Sequence, residues 1–198
     1  MSDERKQALI KRYRDLNVEY IEWWDCIYDD FKEDMEKVGI EVEDMRFSGF
    51  VEPRGMVRPS TGYMRSKPFF EYHKLADSYP WMAKLISHGG DFTLRIERNS
   101  YSHYVHENTV SVELTFTDMF CHILPNDGVR AEVIERWDNL LEAEYNTICD
   151  TVTDIVRGYC HDLYSRLEET YDYLTSDEAV WEAILANELD EEDEEETV

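Results

Sequence analysis

Lysine is missing from the second half of this chain. Residues 99–198 contain Arg130, Arg136, Arg157 and Arg166 as their only strong bases, against 26 Asp and Glu. Residues 1–98 are nearly balanced, with 16 Lys and Arg facing 19 acids, so the formal charge of −25 belongs to the C-terminal half. A surface of that sign repels nucleic acid and anionic lipid, which argues against direct binding of either through this half. Basic proteins and divalent cations are attracted by the same field.

Other absences narrow the function classes further. The four cysteines, Cys26, Cys121, Cys149 and Cys160, include no C-x-x-C pair, and three fall where helical spacing makes Cys a small hydrophobe. Reduced thiols in a cytoplasmic protein are the expected state. No run of eighteen apolar residues occurs, and the N-terminus opens with Asp3, Glu4, Arg5 and Lys6, so neither a signal peptide nor a membrane span is expected. Phosphate cradles need a glycine-rich loop and a lysine at fixed spacing, and that pattern is absent. Ser48-Gly49 lacks a G-x-S-x-G elbow. Cys121-His122 and Cys160-His161 are sequence neighbours, which do not face one another on a helix.

Six histidines remain, His73, His88, His103, His106, His122 and His161. His103 and His106 stand three apart on an expected strand and so point to opposite faces, which does not favour a shared metal. Carboxylates are so numerous that pairs arise by chance, which weakens any one assignment as acid or base. Neither an enzyme nor a cofactor or metal is expected.

What the chain does contain is helical periodicity. From Val129 to Thr175 the residues Trp137, Leu141, Tyr145, Ile148, Val152, Ile155, Tyr159, Leu163, Leu167, Tyr171 and Leu174 advance by three or four, which predicts one long amphipathic helix. Glu132, Glu135, Asp138, Glu142, Asp150, Asp154, Glu168 and Asp172 are read as its opposite, acidic face. The segment holds eleven acids against four arginines, so few acids there have a basic neighbour one turn away. A second long helix is expected over Ser2–Val38 through Leu9, Tyr13, Leu16, Tyr20, Trp23, Ile27, Phe31 and Met35, with Ser2 as its N-cap and Gly39 as its stop.

Alternation predicts strands at residues 40–51, from Phe92 and around Val110–Phe116, with Tyr101–Tyr104 opening the last or forming its own. Prolines and glycines between Glu52 and Gly62 predict a loop whose Arg54, Arg58, Arg65 and Lys67 make it the one basic patch. Helical spacing returns from Pro68 to His88, with Pro80 dividing it. Pro125-Asn126-Asp127-Gly128 reads as a turn into the long helix. Ser176 is expected to cap a short final helix, and residues 188–198 to form an acidic, disordered tail. The fold class expected is α+β: a small antiparallel sheet of three to four strands packed against two long helices, within one domain over 1–187.

Tyr20-Ile21-Glu22-Trp23-Trp24-Asp25, Phe47-Ser48-Gly49-Phe50, the Tyr101–Val112 stretch and Leu174-Thr175-Ser176-Asp177-Glu178-Ala179-Val180 together resemble a family of acidic, uncharacterised bacteriophage proteins. The resemblance implies a phage or prophage origin and no particular chemistry. Where that family usually continues with a segment opening on Trp, this chain has Val51-Glu52-Pro53-Arg54-Gly55-Met56.

The reading that follows is an acidic binding protein, working in the cytoplasm of an infected bacterial host. It would inhibit a basic host protein that binds nucleic acid, in defence or regulation, by presenting the charge of DNA without any nucleotide. The alternative is an interaction module, anti-defence or antitoxin-like, that binds through Arg54, Arg58, Tyr63, Arg65 and Lys67. That loop could also meet the acidic helix of a second copy and give a homodimer.

Overall fold

The computed structural model of the chain describes residues 2–19, 22–47, 49–50, 57–87, 92–98, 110–116 and 130–192. Its elements run α1 (Asp3–Arg12), α2 (Leu16–Glu19), α3 (Asp25–Lys37), β1 (Ile40–Phe47), β2 (Val57–Arg65), α4 (Ser66–His73) and α5 (Pro80–Ser87). They continue with β3 (Phe92–Arg98), β4 (Val110–Phe116), α6 (Arg130–Leu174), α7 (Asp177–Ala186) and α8 (Leu189–Glu192). The class is α+β. Contacts group the chain into two compact units, a smaller one of residues 1–29 and 164–198 and a larger one of residues 30–163.

In the larger unit the four strands form one antiparallel sheet in the order β1-β2-β3-β4, each pairing with its neighbour in sequence. β1 shows how residue choice sets its register. Ile40, Val42 and Met45 are buried while Glu41, Glu43 and Asp44 are exposed, a pattern that loses strict alternation after Val42. The pairing with β2 slips there, between Val42 and Asp44 and again before Met45. Glu43 on β1 and then Ser60 on β2 are left without a pairing partner, and past this double irregularity Met45 is again buried.

Gly39 turns the chain from α3 into β1 with φ of 87°. Its N–H bonds the Glu36 carbonyl at 3.0 Å, and its own carbonyl accepts from the Arg65 N–H at 2.7 Å. A left-handed residue placed here satisfies the end of α3, as expected of a helix-stopping glycine. Pro80 opens α5, the position where a missing N–H costs least, and the helical stretch divides before it at Lys74, whose φ is 54°.

The core of the larger unit draws Phe31, Met35 and Val38 from α3 and the turn after it, Phe69 and Phe70 from α4, and Met82 and Leu85 from α5. Val110 joins them from β4, with Ile148, Val152, Val156, Cys160 and Leu163 from α6. The smaller unit closes around Leu9 and Ile10 of α1 against Val180 and Ile184 of α7, with Tyr13, Trp181 and Leu189 packed on them. Ser176 caps α7 by accepting from the Ala179 N–H at 3.3 Å, and Ser2 caps α1 by accepting from Arg5. Arg14 donates to the Thr175 carbonyl and pairs with Asp177 at 2.7 Å, and Asn17 donates to the Leu174 carbonyl.

Several expectations need correction. The helix expected over Ser2–Val38 is three helices, interrupted at residues 13–15 and again by the turn that holds Trp23 and Trp24. A repeat of three or four residues survives such breaks, because each separate helix still turns its apolar residues towards a core. The interruptions take in Tyr13 and then Trp23 and Trp24, aromatic residues that hold a helix less well than Ala or Leu.

The loop expected around Arg58–Lys67 is β2 followed by the start of α4. Pro59 is accommodated because, among the described residues, β3 pairs with residues 62–65 of β2 alone, and on that flank Pro59 has no ladder partner there. Part of the expected tail is the helical turn α8, where the Asp190 carbonyl accepts from Arg5 at 3.0 Å. Residues 193–198, the Tyr101–Tyr104 strand and the Pro125–Gly128 turn lie outside the described residues. Among the described residues, no helix is long and apolar enough to cross a membrane.

Candidate functional site

α6 runs from Arg130 to Leu174, within a residue of its expected limits at both ends. Its buried stripe in the larger unit is Ile148, Val152, Val156, Cys160 and Leu163, steps of four and three that keep one face inward. Asp150 and Asp154 stand one turn apart on the opposite side, and both are exposed. Glu142 is exposed too, but at about 100° per residue it falls in the sector that carries Val156 and Cys160 further along. The acids of α6 therefore do not form one straight face.

By spacing alone Glu135 and Asp138 belong with Glu142, and the side chains of Glu132, Glu135 and Asp138 lie outside the described residues. In the smaller unit Glu168 and Asp172 project from α6, one turn apart and exposed. Asp154 has a basic neighbour: Arg157 approaches it at 3.6 Å and also donates to the Val110 carbonyl at 3.3 Å. Asp150, Glu142, Glu168 and Asp172 have no ion pair among the described residues.

One acid of α6 that periodicity did not single out holds two backbone donors. Glu144 accepts the N–H of Trp81 at 3.1 Å on one oxygen and the N–H of Met82 at 2.9 Å on the other. These donors are in the first turn of α5, where no intrahelical acceptor reaches them. Beside it the Tyr79 hydroxyl lies 3.1 Å from the Thr147 carbonyl, to which it donates, and 2.6 Å from the Thr151 hydroxyl. Three residues on successive turns of α6 thus hold the start of α5. The sequence signal was an absence: the residue before Pro80 is Tyr79, which lacks the short polar side chain of an ordinary N-cap.

A second cluster joins α4 to α6. The Tyr159 hydroxyl and His73 Nε2 are 3.0 Å apart, with Phe69 and Tyr72 in ring contact with the imidazole. Burial holds His73 below its ordinary 6.5. Burial also pushes Tyr159 up to about 12, with Tyr72 and Asp162 adding to the effect. Both groups are neutral near pH 7, a hydrogen-bonded packing contact rather than an acid–base pair.

The linkage has a definite sign at each end. Unfolded His73 takes up its proton more readily than the folded form, so its share of stability is complete above about pH 6.5 and declines as pH falls below it. Unfolded Tyr159 ionises first, so its share is complete below about pH 10 and declines as pH rises towards 12. Denaturant midpoints across pH should show the acid limb flattened in His73→Phe and the alkaline limb flattened in Tyr159→Phe. Identical limbs in wild type and variants would refute the assignment.

Of the alternative basic site, Arg54 lies outside the described residues, as do the side chains of Arg58 and Tyr63. Arg65 is exposed and donates to the Glu36 carbonyl at 3.4 Å. Lys67 is exposed on α4 and lines an open cavity of about 340 Å³ with Phe70, Glu71, Ala76, Ala83, Ile86 and Ser87. His103 and His106 lie outside the described residues, and among those described no three His, Cys, Asp or Glu converge as metal ligands. Cys26, Cys149 and Cys160 form no disulfide among the described residues.

Comparison with known proteins returned one family model, described as a domain of unknown function, DUF8835, over residues 58–177. No curated protein and no solved structure matches the chain. The matched span begins in β2, takes in the whole of α6 and ends on the first residue of α7. Since it covers well over half of the sequence, the chain belongs to the DUF8835 family.

Proposed function

We propose that this protein is an acidic binding protein that occupies the nucleic-acid-binding surface of a basic partner, in the manner of a DNA mimic. The observation that carries the reading is the exposure of Glu142, Asp150 and Asp154 on a 45-residue helix that has no lysine. Duplex DNA offers about one charge per 1.7 Å of axis, whereas carboxylates one turn apart on a helix stand about 6 Å apart, so the helix offers a basic groove a sparser field of the same sign. Like charges on neighbouring turns cost a few tenths of a kcal/mol per pair, which partner binding would offset. With the resemblance to phage proteins, the reading extends to a phage-encoded inhibitor of a host defence or regulatory protein, acting in the host cytoplasm.

A partner captured from the presumed bacterial host should be released by duplex DNA, and its affinity should fall steeply with salt. Combining Glu142→Gln, Asp150→Asn and Asp154→Asn should weaken that binding by about tenfold or more and flatten the salt dependence. A partner indifferent both to DNA and to the triple variant would sink the proposal. The interaction-module reading rests on the exposed Arg65 and Lys67, and it prevails if Arg65→Glu with Lys67→Glu abolishes binding while the triple variant does not.

A further inference from the structure

In the smaller unit, α1 and α7 flank a groove of about 430 Å³ lined by Lys6, Gln7 and Ile10 on one side and Asp177, Glu178, Trp181 and Glu182 on the other. Its floor is an indole. Trp181 packs against Leu9, Ile10, Val180 and Ile184, which fixes the ring, and the Lys6 ammonium lies 4.9 Å from its centroid. A ring held in this way offers its negative face to a cation, and here one is already seated.

The rim has more negative charge than Lys6 answers. Asp177 is taken by Arg14 at 2.7 Å, whereas Glu178 and Glu182 are exposed, one turn apart on α7, and have no ion pair among the described residues. The Lys6 ammonium in turn has no ion pair among the described residues and lies over the ring. The groove thus combines a fixed aromatic floor, two uncommitted carboxylates about 6 Å apart along the helix, and an ammonium on a flexible stem.

We infer that this groove is a receptor for one arginine side chain of the basic partner. The guanidinium stacks on Trp181 in place of the Lys6 ammonium and donates its N–H groups to Glu178 and Glu182. Arginine fits better than lysine because its planar cation can stack and reach two carboxylates at once, whereas an ammonium repeats what Lys6 already supplies. Lys6 acts as an internal competitor that yields by rotating its side chain, with no change to the apolar contacts of α1. The inference rests on the proposed basic partner and names where that partner is read most closely.

The test uses the full chain with hexa-arginine and hexa-lysine peptides, followed by calorimetry and by the Trp181 indole N–H resonance. Hexa-arginine should bind more tightly than hexa-lysine and shift that resonance. Glu178→Gln with Glu182→Gln should weaken hexa-arginine about tenfold, and Lys6→Gln should tighten it about threefold, as expected when a competing cation leaves the ring. Glu41→Gln with Glu43→Gln, an equal change in charge at exposed positions of β1 in the larger unit, should leave the affinity within about twofold.

Equal weakening by both double variants, or no response to Lys6→Gln, overturns the groove and leaves the basic-partner reading standing, since the attraction is then diffuse. Absence of hexa-arginine binding to the wild-type chain at low salt overturns both. Lys6 and Glu182 lie outside the buried cluster, so a folded variant is expected in each case, and amide spectra of the variants check it.

Discussion

Gly39→Ala is expected to destabilise the protein by about 3 kcal/mol, read as a fall in the denaturant midpoint with unchanged slope. Two costs combine. A left-handed φ of 87° costs a residue with a Cβ about 1–2 kcal/mol. The added Cβ would also sit 2.9 Å from Pro68 Cγ, 3.1 Å from the Arg65 carbonyl oxygen and 3.1 Å from the Phe69 nitrogen. Two of those neighbours are backbone and the third is a ring, so none can swing away as a flexible side chain would. Overpacking of this kind adds about 1–3 kcal/mol.

Two other glycines separate the terms. Gly49 has a similar φ of 89° but nothing within 4 Å of an added Cβ, so Gly49→Ala should show the conformational cost alone, about 1 kcal/mol. Gly158 lies within α6 with open space around it, and Gly158→Ala should stabilise by about 0.5–1 kcal/mol through helix propensity. Equal losses in Gly39→Ala and Gly49→Ala would mean that the contacts with Pro68 and Arg65 carry no weight.

Glu144→Ala should cost about 2 kcal/mol, the second largest effect expected of a single substitution. It removes two charge-assisted bonds at once and leaves the Trp81 and Met82 donors without an acceptor at the start of α5, where the helix dipole also favours a carboxylate. Glu144→Gln retains one acceptor oxygen and should lose about half as much. Glu142→Gln, only two residues away and exposed, should change stability by less than about 0.5 kcal/mol. Hydrogen exchange at the Trp81 and Met82 amides should accelerate in Glu144→Ala and not in Glu142→Gln. The opposite ranking would show that α5 does not depend on this cap.

Those two carboxylates illustrate what the sequence could and could not reveal. Both lie in one acidic helix whose limits were legible because the repeat of three or four residues runs unbroken for many turns. Periodicity identifies an apolar stripe, but it does not say which polar residue a distant segment will approach. Glu144 owes its role to a segment more than 60 residues away. The Ser176 and Ser2 caps and the Pro80 break were readable because each signal and its consequence lie within four residues.

β2 was misread because Pro59 and Gly62 signal a loop locally, while pairing with β1 and β3 decides the outcome. Val156 and Cys160 are buried where Ile155 and Tyr159 are only partly so, for a related reason. Both pairs fit a helical repeat, and the direction of burial is set by what packs against the helix. Of the acids read as one face, Asp150 and Asp154 do oppose the buried stripe, whereas Glu142 departs from them because steps of four and eight residues accumulate an angle along the helix.

The smaller unit has a consequence for how the protein is made. Leu9 and Ile10 are buried by Val180 and Ile184, roughly 170 residues later in the chain. At about 5–20 residues per second, α1 waits on the order of ten seconds or more for those partners to be synthesised. The larger unit lacks this delay in its sheet, because each strand pairs with the one beside it in sequence. During synthesis the strand meander can assemble while the apolar face of α1 is still uncovered. A nascent chain halted before α7 is therefore the form most exposed to aggregation and to chaperones, and the synthesis of α7 ends that exposure.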